Sequence, residues 1–192
     1  MLAQSLFFIL QTAAQLLGGI FLLRFLMQWA RAPFRNPIGQ FVIAASDWAV
    51  LPLRRVIPGL WGVDLSSLVL AWIVQYVYYM VVFAASPIGG LDALVTPGVI
   101  GTVALAALIE TARLFLYLVF GIVILTAIMS WVNPYAPLAP VLNALARPFL
   151  APFQRFIPLV GGVDLSPIAL IIVLQLLLGL LSGLRYSFFA HG

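Results

Sequence analysis

The chain has no cysteine and no lysine, and only 7% of its residues are charged. Without cysteine there is no disulfide, no thiolate nucleophile and no cysteine-ligated metal. One histidine, His191, is the whole supply of imidazole. No Ser-His-Asp set, no His/carboxylate metal spacing, no phosphate loop and no nucleotide fingerprint occurs. The expectation is a protein that is not an enzyme and takes no cofactor.

What fills the chain instead is apolar. Hydrophobic residues make up 65% and the mean hydropathy is +1.19. A water-soluble domain of this size needs charged residues to cover its outside, so the class is integral membrane protein. Nine cations, all arginine, stand against five acids, a net charge of +4. Most lie near the ends of apolar segments. Lipid headgroups and the orientation rule account for them, and nucleic acid is not needed as a partner.

One stretch occurs twice. Residues 52–66, PLRRVIPGLWGVDLS, return as 152–166, PFQRFIPLVGGVDLS, at an offset of 100 with nine of fifteen positions identical. Around these copies lie four long apolar runs. Residues 5–29 are long enough to span about 30 Å of hydrocarbon at about 1.5 Å per residue, with Arg24 expected to snorkel to the interface beside Trp29. The other spans are expected at about 65–85, 114–132 and 165–184. Residues 98–109 read as an interfacial helix or a protruding start, with Glu110 and Arg113 spaced to pair on one face. The aromatics of the second span, Trp72, Tyr76, Tyr78 and Tyr79, are not confined to its ends. They are expected to pack between helices or against lipid.

The two connecting segments differ from the spans. Asn36-Pro37 is a helix-start signal, and residues 38–51 give a helix too short to cross, interfacial or re-entrant. Pro52 is expected to end it. Asn133-Pro134 repeats the signal, but Pro148 and Pro152 leave room only for a short helix near 141–147. The fold class is therefore an all-α membrane protein. Its four transmembrane helices form two tandem helix–amphipathic loop–helix repeats, 1–91 and 92–192. Each repeat crosses twice, so both share one orientation and the pseudo-symmetry axis lies along the membrane normal. Cation counting puts both repeated loops in the cytoplasm and both termini outside.

The candidate residues are those the repeat duplicates. Asp64 and Asp164 are placed to cap the helices that follow, a need that is sharper near hydrocarbon. The other reading is a pair of carboxylates around a central axis, binding a cation or proton. Pro58 and Pro158 stop the preceding segment, and Gly62 and Gly162 permit the turn before the cap. Arg55 and Arg155 suit phosphate headgroups or the orientation rule, or a specific pair with Asp64 and Asp164. Gln75 and Gln175 are polar residues inside spans, suited to helix–helix hydrogen bonding.

Two copies of an IP-x-x-G-G-x-D-[LIM]-S-P-like turn, each opening a hydrophobic helix with a Gln eleven residues after the Asp, resemble the YggT family of small bacterial and plastid membrane proteins. The second copy, residues 157–167, fits closely. The first departs, with Trp61 for the first Gly and Ser67 for the Pro. The resemblance implies a multi-pass protein of the bacterial plasma (inner) membrane with no established catalytic or binding residues. It also implies links as varied as osmotic tolerance and potassium handling, division and envelope organisation, and cytochrome maturation in plastids. The function expected is a membrane-complex assembly or scaffold factor whose partners are the bilayer and another membrane protein or a second copy of itself. The alternative is an oligomeric ion or osmolyte pathway lined by Asp64, Asp164, Gln75 and Gln175.

Overall fold

The computed structural model describes residues 2–57, 59, 63–86, 96–133, 135–157 and 164–190. Among them the chain forms six helices: α1 (Leu2–Trp29), α2 (Pro37–Arg54), α3 (Leu65–Ala84), α4 (Pro97–Val132), α5 (Ala139–Phe156) and α6 (Ser166–Ala190). Four of them, over Ala3–Trp29, Leu65–Ala84, Pro97–Ser130 and Ser166–Leu184, are long and apolar enough to cross a membrane. The shorter pair, α2 and α5, each carry one buried face, as amphipathic helices do.

The spanning helices pack in the order the repeat dictates. In each half the two spans lie together, α1 with α3 and α4 with α6, and α4 also joins the halves by packing on α3 and α1. One core runs through both halves, built on Leu26 and Met27 of α1, Val42 of α2, Val119 and Val123 of α4, Leu145 and Leu150 of α5, and Leu170 and Leu174 of α6. A second cluster, Phe21, Leu22, Val50 and Ala71, locks α2 between α1 and α3. The aromatics of α3 go to the start of α4. Trp72 stacks on Tyr76 with centroids 5.4 Å apart, and its Nε1–H donates to the Ala104 carbonyl at 3.2 Å. Tyr79 packs with Val103 and Ala107.

Local signals explain the helix ends. The Gly39 amide donates to the Asn36 side chain at 2.9 Å, with Pro37 in the first turn, so the start of α2 is capped as its sequence requires. At the end of α1 the Ala32 amide reaches back to the Met27 carbonyl at 2.8 Å and the Arg31 amide to Gln28 at 3.1 Å. This double closure needs a left-handed residue, usually glycine. Here it is Arg31, at φ 52°.

Two expectations need correction. The helix expected at 38–51 does not stop before Pro52 but runs to Arg54. The short helix expected at 141–147 is an eighteen-residue helix that passes through Pro148 and Pro152. Each proline removes one backbone bond. The two sit four apart, so both losses fall along one side of the helix, and burial of Val141, Leu142, Leu145, Ala146 and Leu150 keeps the segment helical. Of the two readings of 98–109 the protruding start holds: 98–109 and 114–132 are one helix of 36 residues. Glu110 and Arg113 do not break it, because their charges neutralise each other at 2.7 Å and the Tyr79 hydroxyl lies 3.4 Å from Glu110.

Two substitutions test these ends. Arg31→Gly is expected to stabilise the chain by about 1 kcal/mol by relieving the left-handed arginine. Gly39→Ala is expected to destabilise it by about 1–3 kcal/mol, because a Cβ there would come within 2.5 Å of the Phe34 carbonyl oxygen. Reversible unfolding in detergent micelles reads both.

Candidate functional site

The residues with most chemistry meet where α1 ends and α3 begins. Arg24 and Gln28 lie one turn apart on α1. Ser46, Asp47 and Arg54 come from α2, and Asp64 and Ser67 from the start of α3. Asp64 is completely buried and Arg24 is 5% exposed. Arg24 Nη1 donates to Asp47 Oδ1 and to Ser46 Oγ, both at 2.6 Å, and its Nε lies 3.6 Å from Asp64 Oδ2. That same Asp64 oxygen accepts from Arg54 Nη2 at 3.0 Å, from Ser67 Oγ at 3.1 Å and from Gln28 Nε2 at 3.4 Å. Two guanidinium groups thus face two carboxylates, and the network is neutral as a unit.

This arrangement overturns two expectations. Arg24 does not snorkel; it turns inward to Asp47 and Asp64. The ion pairs of Asp64 run to Arg24 and Arg54 and not to Arg55, which is exposed. Because α2 continues past Pro52, Arg54 and Arg55 are about 100° apart around it, and Arg54 is the one that faces Asp64. The carboxylate of Asp64 also takes no hydrogen bond from the amides of α3. Buried charge, more than free amides, determines its place.

The second copy keeps the aspartate and loses the charges around it. Asp164 accepts from Gln154 Nε2 at 2.8 Å and from the Ser166 amide at 2.9 Å. Gln154 is the counterpart of Arg54 and Arg147 of Asp47 at the offset of 100, and Thr126 stands for Arg24 when Trp29 is aligned with Trp131. Thr126 donates back to Ile122 within its own helix. Arg155, the counterpart of Arg55, is exposed. Asp164 is held below the ordinary carboxylate range. Partial burial opposes this, and the hydrogen bonds from Ser166 and Gln154 outweigh it.

The glutamines part company as well. Gln75 is buried against Gly18, and its Nε2 lies 3.4 Å from the Ala14 carbonyl. Gln175 is exposed on α6. Pro58, Gly62, Pro158 and Gly162 lie outside the described residues. A further polar pocket of about 330 Å³, lined by Gln11, Gln15, Glu110, Arg113, Leu114 and Tyr117, opens towards the other end of the bundle. Gln11 and Gln15 were missed as site residues. Their spacing of four, on the same face of an apolar helix, was the available signal.

The two-part plan is also what a comparison with known proteins returns. A model of the CCB3/YggT family matches residues 3–85 and again 105–185. The chain belongs to the CCB3/YggT family. An uncharacterised protein of Pseudomonas aeruginosa is 39% identical over 172 residues, 88% of this chain and 84% of the relative. The uncharacterised protein YggT of Escherichia coli K12 is 36% identical over 174 residues, 90% and 87% of the two chains. A protein of Vibrio alginolyticus, uncharacterised and encoded 3' of proC, is 33% identical over 172 residues, 89% and 90%. No solved structure matches. In this YggT-family chain, then, two homologous units carry one aspartate in two electrostatic settings.

Removing one partner from the charged setting strands the other. Asp64→Ala or Arg24→Leu is expected to cost about 3–5 kcal/mol. Arg54→Gln, at a partly exposed position, should cost about 1 kcal/mol, and Arg55→Gln less than about 0.5 kcal/mol. Equal losses at 54 and 55, measured by unfolding in micelles, would refute the register. In the second setting a lowered folded-state pKa adds stability above the unfolded value of about 3.9 and loses it as pH falls through the folded value. Asp164→Asn is therefore expected to be slightly less stable at neutral pH, and its deficit should shrink as pH drops below about 4.

Proposed function

We propose that the chain is a non-enzymatic scaffold of the bacterial plasma membrane, with α2 and α5 on the cytoplasmic face and both termini outside. The observation that carries this reading is where the polar and apolar groups lie. The polar network at Asp64 is spent on itself, while apolar surface is left outward. Phe41 and Trp48 of α2 are 61% and 65% exposed. An open apolar groove of about 550 Å³ runs between Pro37, Ile38 and Phe41 at the start of α2 and Pro137 and Leu138 before α5. A groove of that kind suits an apolar segment of a partner protein at the membrane surface.

The ion or osmolyte pathway finds less support. Gln75 and the Asp64 network both lie along α1 and α3, but Phe21, Leu22, Val50 and Ala71 pack tightly between them. Within one copy these side chains close the line that would join the two polar levels.

A photoreactive residue at Phe41 or Leu138 is expected to give a discrete protein adduct in native membranes, absent when it is placed at lipid-facing Leu16. Identical adducts at all three positions would remove the scaffold reading. In potassium-loaded liposomes the purified protein is expected to pass no cation. Flux that disappears in Asp64→Asn/Asp164→Asn would replace the scaffold with the pathway.

A further inference from the structure

The two halves bury different faces of equivalent helices. In α3 the buried positions Ala71, Gln75 and Tyr79 follow a four-residue step. Their counterparts on α6 at the offset of 100 are Ile171, Gln175 and Gly179, yet α6 buries Leu170, Leu174 and Leu178. The second helix is thus turned by one position, about 100°. A cause lies on the facing helix. Gly18 of α1 leaves a Cβ position only 3.1 Å from the Gln75 amide nitrogen, and its counterpart on α4, aligned through Trp29 and Trp131, is Phe120. Phe120 packs against the cluster that holds Leu170 and Leu174.

The turn sends one stripe of α6 outward: Ile168, Ile172, Gln175, Leu176, Gly179 and Gly183. Ile168, Ile172 and Leu176 are 52%, 53% and 65% exposed, and a Cβ at Gly179 or Gly183 would meet nothing within 4 Å. The glycines form a G-x-x-x-G pair inside a transmembrane helix, which lets two backbones approach closely. Gln175 is an amide near the middle of the span Ser166–Leu184, on the same face. A glutamine directed into hydrocarbon leaves both a donor and an acceptor without water. The same face of α3 is covered, by α1 and α4, with Tyr79 and Phe83 where α6 has the glycines.

We propose that this stripe is a homodimer interface, in which α6 of one copy crosses α6 of a second about a two-fold axis along the membrane normal. A second copy fits because the stripe is complementary to itself. The two helices run in the same direction in the bilayer, glycine meets glycine, and the Gln175 amide, donor and acceptor at once, faces its own counterpart. Symmetric pairing of this kind is the commonest form of self-association. The interface stands independently of the scaffold reading, since it needs neither the groove at Phe41 nor any partner there.

The absence of cysteine makes the test direct. Single Ile172→Cys and Leu177→Cys proteins are placed in liposomes at low protein-to-lipid ratio and oxidised. Ile172 lies on the stripe and Leu177 on the far side of the exposed surface. The expected result is a disulfide-linked dimer for Ile172→Cys and none for Leu177→Cys. Adding Gly179→Ile should cut the crosslinked fraction at least tenfold, and adding Gln175→Leu roughly threefold. Neither change touches the packed face, so the melting temperature of the monomer in excess detergent should be unaltered. Equal crosslinking at 172 and 177, or a dimer indifferent to Gly179→Ile, overturns the proposal. So does Ile172→Cys that crosslinks to a different protein in native membranes and forms no dimer in liposomes.

Discussion

A carboxylate with no exposed surface at the end of a membrane bundle has to be answered by positive charge from within the protein. Asp64 is that carboxylate, and the geometry of the first repeat follows from it. Arg24 must come from α1 and Arg54 from α2, so the amphipathic helix is held against both spans and does not float free on the membrane. Ser46, Asp47, Gln28 and Ser67 then add hydrogen bonds around the two guanidinium groups. Pairs of this kind add little over a well-packed apolar replacement, but half of one is strongly destabilising. The network therefore enforces register: α1, α2 and α3 fit together in one alignment or leave a charge stranded.

The second repeat shows how little of that network the fold itself requires. Thr126, Arg147 and Gln154 take the places of Arg24, Asp47 and Arg54, and Asp164 is satisfied by one side-chain amide and one backbone amide. The helices of the second half are held chiefly by apolar contact, through Leu142, Leu145 and Leu150 of α5 and Leu170 and Leu174 of α6. Two homologous units can thus share a backbone plan while one is keyed by charge and the other by shape.

Much of this was legible in the residues. Apolar runs of sufficient length marked the four spans, Asn36-Pro37 marked the start of α2, and the 100-residue offset marked the tandem plan. The misses share a physical cause. Proline rules describe the loss of a backbone bond but not what an apolar face such as Val141–Leu150 gains by staying helical, so α5 was cut short. Arg24 looked like a residue bound for the interface because its partners lie far away in sequence, on elements whose docking no local pattern reveals. Arg55 drew attention because the repeat preserves it, yet the inward position is 54, where the copies differ. Repetition marks what the backbone plan requires, and the cations that answer Asp64 fell at positions where the copies diverge.

The arrangement of Arg24 also bears on how the protein is made. Its partner Asp47 follows by 23 residues and Asp64 later still, so α1 leaves the ribosome with an unanswered cation in its last turns. Its charge is answered only when α2 and α3 dock. The packing of the first half therefore depends on three helices together, whereas α4, with Thr126 at the matching position, asks for no counterion there.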